Sequence, residues 1–222
     1  MKTYIIACNT IKPELLHAKE ATGNTFPILW SGTGLHDTPA LLKKVLFKCV
    51  QKAEEQGAER ILCSLGFCGG AMDGIVSEKA ELIVPKVDDC ITMLLGSLEK
   101  RKEMQSKGHT YYITRGWMNN KGVLYNQFLD IMARYGEEDG AEIFEMMAGH
   151  YKFYGILDTH CYDMTDVIAN TERMASEMGM ECFVAEASDS YLRDLLNGPY
   201  DDSSRFVRVA PGEPIRTEML NS

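Results

Sequence analysis

Residues 59–70, ERILCSLGFCGG, and 81–97, ELIVPKVDDCITMLLGS, decide the fold. In each, a run rich in Ile, Leu or Val ends in a turn that carries a cysteine. Arg60–Leu65 and Glu81–Pro85 are near-continuously apolar rather than alternating. That is the pattern of strands covered on both faces, as in a parallel sheet. The same reading picks out Tyr4–Ala7, Phe26–Trp30, Thr110–Thr114, Phe153–Leu157, Cys182–Ala185 and Phe206–Val209. Between them lie amphipathic runs. Leu41, Leu42, Val45, Leu46, Cys49 and Val50 fall at helical spacing, with Thr38 as N-cap, Pro39 at the first helical position and Gly57 as the stop. Asp89 caps a second helix running to about Lys107, and Asn120 to Gly149 reads as a third, broken near Gly136–Gly140. Thr165–Met178 and Asp189–Leu196 complete the set, and Thr10 is read as the cap of a short helix containing Pro13 and Glu14.

Repeated βα units imply an α/β fold: a mostly parallel open sheet flanked by helices. The chain reads as one domain over residues 1–222, with a helical insertion, or small subdomain, around 119–152. The methionines of that insertion, Met132, Met146 and Met147, are read as core.

Composition limits the function classes. Of 222 residues, 23 are Lys or Arg and 32 are Asp or Glu, for a net charge of −9, and no basic stripe faces a phosphate backbone. Nucleic acid is therefore excluded as the expected partner. No segment approaches the ~20 apolar residues of a membrane span. The N-terminus MKTYIIACNT lacks the apolar length of a secretory leader. A cytoplasmic setting follows, where thiols stay reduced. The seven cysteines are an odd number and cannot all pair within the chain. They are core fillers, metal ligands or catalytic groups.

Common motifs fail. Gly32-Thr33-Gly34 is followed by Asp37 where a dinucleotide fingerprint needs its third glycine, and Gly66–Gly70 is not followed by Gly-Lys-Ser/Thr. No H-E-x-x-H, EF-hand, G-x-S-x-G or C-x-x-C is present.

What remains is a set of cysteines in equivalent places. Cys8, Cys68 and Cys90 each follow a strand and sit in a turn. In an open parallel sheet, ligands bind outside the carboxyl ends of the strands. Three thiolates on one edge suit zinc or an iron–sulfur cluster. His36 is the candidate fourth ligand, with Glu14 or water as substitutes. Gly69 and Gly70 let the backbone approach a bound group, and Trp117 is placed to wall a pocket. Cys90 opens the helix capped by Asp89. The helix end favours a thiolate there, while Asp88 and Asp89 oppose it. Cys49, Cys63 and Cys182 are read as core. Cys161 is left open, since Asp158, His160 and Cys161 also follow a strand and could reach the same edge.

These residues carry a family resemblance. Leu65-Gly66-Phe67-Cys68-Gly69-Gly70 and Leu82 to Ser97, with its Asp89-Cys90-Ile91-Thr92 core, resemble domain-of-unknown-function family 1638. The likeness continues through Ala7-Cys8, Leu35-His36-Asp37-Thr38-Pro39, Tyr111 to Trp117, Leu195 to Gly198 and Val209 to Gly212. The resemblance implies cysteines at the positions of Cys8, Cys68 and Cys90 and a histidine at His36. It supplies no activity. It suggests an anaerobic source and a setting near corrinoid-dependent methyl transfer, with a small-molecule ligand or a corrinoid or methyltransferase protein as partner. Lys86 stands where the family often has arginine, and His160 where it has glycine, so His160 is not implied as a shared ligand.

Three functions fit the residues: a metal-thiolate protein in one-carbon or methyl-transfer metabolism, a small-molecule or metal-delivery module without catalysis, and a metal-free enzyme with Cys90 as nucleophile and His36 or His160 as base.

Overall fold

The computed structural model describes residues 1–32, 34–35, 38–106, 108–118, 120 and 122–220, the last by its backbone only. His36 lies outside the described residues. The chain forms β1 (Thr3–Ala7), α1 (Lys12–Thr22), β2 (Ile28–Trp30), α2 (Pro39–Glu55), β3 (Arg60–Ser64), β4 (Glu81–Pro85), α3 (Cys90–Leu95), α4 (Leu98–Gln105) and β5 (Thr110–Ile113). It continues with α5 (Arg115–Met118), α6 (Leu124–Tyr135), α7 (Glu137–Ala148), β6 (Phe153–Asp158), α8 (Thr165–Glu177), β7 (Glu181–Glu186), α9 (Ser190–Asn197) and β8 (Phe206–Val209).

The α/β class and the mostly parallel pairing are as expected. The strands, however, form two sheets. The first runs β2-β1-β3-β4-β8, parallel except for β8, and the second runs β5-β6-β7, all parallel. Side chains alternate across the first sheet. Ile5, Ala7, Leu62 and Ile83 face a cluster shared with α1, α3 and α9, while Tyr4, Ile6, Ile61, Cys63, Leu82 and Val84 face a cluster with α2. Both faces are dry, which is why these strands lack a polar side. Leu157 and Ala185, from β6 and β7, join the first cluster, so the second sheet closes over it. A third cluster joins the other face of the second sheet to the insertion and α8.

In the order β2-β1-β3-β4, the chain leaves β1 toward one edge and returns on its other side. That makes a topological switch point between β1 and β3, where open α/β sheets gape at the carboxyl ends of their strands.

Local chemistry explains the helix boundaries. In α2, Leu42, Leu46, Val50 and Ala53 form the buried stripe, and Gly57 (φ 80°) turns the chain out after it. Thr38 occupies the N-cap position, but its side chain makes no capping bond. The single helix expected from Asp89 to about Lys107 is two. Gly96, at φ 89°, closes α3, and Ser97 starts α4 by accepting from the Lys100 N–H at 3.2 Å. The insertion forms α6 and α7, divided at Gly136 (φ 82°). Two of its three named methionines depart from the core reading. Met132 packs against buried neighbours, whereas Met146 and Met147 are 80% and 43% exposed. Thr10 is not a helix cap: α1 follows Ile11, and Thr10 lies in the preceding single turn. Among the described residues no helix is long and apolar enough to cross a membrane.

A charged clasp ties three neighbouring strands. Glu81 on β4 accepts from Arg60 of β3 at 2.7 and 2.8 Å and from Arg208 of β8 at 2.8 Å. Partial burial works against the Glu81 charge, but the bonds from Arg60 and Arg208 outweigh it and hold the carboxyl below its usual range. The stability this gives is present above the ordinary carboxylate pKa and is lost as pH falls through the lowered value. Glu81→Gln is therefore expected to be less stable than wild type at pH 7, with the gap narrowing below about pH 4. Denaturant titrations at pH 7 and pH 3 measure that difference.

Candidate functional site

Three loops meet at the carboxyl ends of β1, β3 and β4. Cys8 directly follows β1, and its thiol donates to Thr10 Oγ1 at 3.1 Å. Cys68 sits in the turn after β3. Phe67 and Cys68 donate their N–H groups to the carbonyls of Val87 and Asp88, at 3.1 and 2.7 Å, which pins this turn to the segment leading into α3. The approach is close enough to demand glycine. A Cβ on Gly66 would stand 2.6 Å from both the Cα and the N of Asp89. Cys68 itself adopts φ 46°, a left-handed conformation that costs a non-glycine residue about 1–2 kcal/mol. Cys90 is the first residue of α3, whose N-cap Asp89 accepts from the Thr92 N–H at 2.8 Å.

All three cysteines line one cavity of about 710 Å³. Its opposite wall comes from the second sheet and the insertion, with Tyr111, Tyr112, Trp117, Tyr151 and Met147 among its residues. Trp117 Nε1 donates to Tyr111 Oη at 2.7 Å, fixing both rings. Gly116 allows this wall to approach the first sheet, since a Cβ there would lie 2.2 Å from the Thr10 carbonyl oxygen. Arg101 also lines the space, over the Tyr112 ring at 4.5 Å and 3.4 Å from Asp89 Oδ2. The guanidinium is thus braced between an aromatic face and a carboxylate.

Electrostatics set the protonation of the thiols. Burial, then the neighbouring Cys8, Asp89, Cys68 and Glu14, pushes the Cys90 thiol well above its ordinary value. Burial, with Cys8 and Asp89, pushes Cys68 up to about 12. The start of α3 does not offset this. In the metal-free chain Cys68 and Cys90 are therefore neutral thiols at pH 7. The three sulfurs do not all lie within 4.8 Å of one another. Among the described residues, the one group that does so is His17, Cys161 and Asp189.

Glu14 is fully buried on α1. Tyr162 donates to its Oε1 at 2.7 Å, while Oε2 has no hydrogen-bond partner among the described residues. Burial raises its carboxyl above the usual carboxylate range despite the Tyr162 bond.

The expected site residues divide. Gly69 and Trp117 line the cavity with Cys8, Cys68 and Cys90, whereas Gly70 forms the turn behind them and is not among the lining residues. Cys63 is buried in the α2-side cluster, and Cys49 and Cys182 pack half-buried at cluster margins. His160 and Asp158 are not among the cavity residues. His160 is 59% exposed and bonds Glu186 at 2.6 Å. Cys161 joins His17 and Asp189 instead of the other three cysteines. Arg101, Tyr112, Tyr151, His17 and Asp189 carry no spacing signal, because loops and helix termini far apart in sequence bring them together.

The fold and the cavity define a class: an α/β protein with a thiol-lined pocket between two sheets, at the switch point of the larger one. The chain belongs to the family described as protein of unknown function (DUF1638), whose model matches residues 30–196. That span includes Cys68, Cys90, Trp117 and His36 but not Cys8. No curated protein and no solved structure matches the chain.

Proposed function

We propose that the protein is a metal-thiolate protein that holds an iron–sulfur cluster on Cys8, Cys68 and Cys90 and presents it to a small molecule in the adjoining cavity. The observation that carries this reading is that three thiols, from three adjacent parallel strands, face one cavity. Their spacing favours a cluster over a single ion. Thiolates around one zinc, at about 2.3 Å from the metal, stand about 3.8 Å apart. These sulfurs do not all lie within 4.8 Å of one another, which suits a polynuclear group better than one ion. When bound, such a cluster supplies electron transfer and, with three protein ligands, an iron position open to a small molecule. The chain's own contribution is to orient that molecule. The aromatic wall offers flat apolar surface and Arg101 offers a cation, which suits a planar ligand with an anionic group. A role in corrinoid-linked or other methyl-transfer metabolism is part of the proposal and rests on the family resemblance alone. A metal-free nucleophile at Cys90 is disfavoured by its neutral thiol.

Purification without oxygen, with iron, sulfide and zinc analysis and an absorption spectrum, tests this. A brown protein with iron and acid-labile sulfide is expected. A colourless protein without either contradicts it.

A further inference from the structure

A second group of metal-ligating side chains lies apart from the three-cysteine site. Its members come from the carboxyl ends of the second sheet and from the helix after β1. Cys161 stands three residues beyond β6, Asp189 three residues beyond β7, and His17 on α1. The ligand atoms of His17, Cys161 and Asp189 all lie within 4.8 Å of one another. His17 Nδ1 pairs with Asp189 Oδ2 at 2.8 Å, and Arg193 Nε donates to Asp189 Oδ1 at 2.8 Å. The Cys161 thiol donates to the Thr159 carbonyl at 3.3 Å.

An independent observation points the same way. Glu14, one helical turn before His17, is 0% exposed, and its Oε2 has no hydrogen-bond partner among the described residues. Asp189 helps to raise the Glu14 carboxyl, after burial, and Glu14 in turn helps to raise the Cys161 thiol. Asp189 is itself only 5% exposed. Three acidic groups therefore converge, two of them buried carboxyls, and Arg193, itself half-exposed, is the cation bonded to Asp189. Buried carboxylates without compensation are costly, and a divalent ion supplies it.

We propose that His17, Cys161 and Asp189 bind one zinc-class divalent ion, with water as the fourth ligand and Glu14, one turn away on α1, as a neighbouring acidic group. The imidazole, thiolate and carboxylate set suits zinc rather than magnesium or calcium. On binding, His17 Nδ1 exchanges its hydrogen bond with Asp189 for the ion, any proton on it passing to Nε2 or to solvent, and Cys161 gives up its thiol proton to solvent. Arg193 keeps Asp189 Oδ1 occupied, which leaves Oδ2 for the metal.

The site is tested with cobalt(II) alone, titrated without oxygen into chelator-treated full-length C8S/C68S/C90S protein whose circular dichroism matches wild type. One thiolate-to-cobalt charge-transfer band, saturating at one equivalent, is expected, and adding Cys161→Ser should abolish it. His17→Ala in the wild-type chain changes a half-exposed side chain and covers the case in which the triple variant does not fold. It should weaken zinc binding at least tenfold. Absence of the band, its survival in the Cys161→Ser protein, or unchanged zinc affinity in His17→Ala overturns the proposal. Iron and sulfide report separately on the cysteine site, so either reading can fail alone.

Discussion

Serine at Cys90 or Cys68 is expected to reduce bound iron and sulfide to near background, while Cys49→Ser leaves them at the wild-type level. Serine keeps the size of the side chain but replaces a soft thiolate with a hydroxyl that binds iron or zinc poorly. Cys49 is the control because it lies on α2, half-buried, and does not line the cavity. Cys68 allows a sharper separation of site from scaffold. Its φ of 46° strains a residue with a Cβ, and glycine removes that strain. Cys68→Gly should therefore hold stability within about 1 kcal/mol of wild type, the relieved strain offsetting lost packing, yet still abolish cluster binding. Thermal or denaturant unfolding beside iron analysis reads both effects. A variant that loses stability and iron in proportion would show that the cysteine is scaffold.

The second large effect is expected at Gly66. A Cβ there meets the backbone of Asp88 and Asp89 on one side, at 2.6 to 2.8 Å, and no flexible side chain can yield. Gly66→Ala must push the Cys68 turn away from the start of α3. That breaks the bonds from Phe67 and Cys68 to the Val87 and Asp88 carbonyls and separates the thiols. Overpacking of this kind costs about 1–3 kcal/mol, and more where backbone must move. The cost in cluster occupancy is larger, because a shared ligand geometry tolerates little displacement. Unfolding of the cluster-free protein, compared with iron content after reconstitution, measures the two consequences. Gly70→Ala is the useful contrast, since a Cβ there meets nothing within 4 Å among the described residues. Its φ of 85° still makes it mildly strained, but it should retain the cluster.

Much of the scaffold was legible because the signals were local. A strand buried on both faces has to be apolar throughout, so β1, β3, β4 and β6 stand out in the sequence. The glycine after a helix and the aspartate before one are equally local signals: Gly57 follows α2, and Asp89 caps α3. The split of the α3–α4 segment was written in Gly96-Ser97, a stop followed by a start, and the amphipathic run on either side masked it. The division into two sheets had no local signature. Strand periodicity reports that faces are covered, not which strands pair. The methionines of the insertion show the same limit: helical spacing puts Met146 and Met147 among apolar residues, but only the packing decides which face is wet.

The site followed the same rule. The three cysteines could be found because each immediately follows an apolar run, and strand ends of a parallel sheet share an edge. The aromatic wall and Arg101 come from the other sheet and from α4, and only the closure of one sheet over the other puts them opposite the thiols. Cys161 was correctly placed beyond a strand, but that strand belongs to the second sheet. It therefore meets His17 and Asp189 rather than Cys8, Cys68 and Cys90.

The most direct test of the account is iron and acid-labile sulfide per chain, measured in wild-type protein and in C8S/C68S/C90S purified side by side without oxygen. The account predicts a cluster's complement in the wild type and background levels in the triple variant, with matching circular dichroism. Equal iron and sulfide in the two proteins would contradict it.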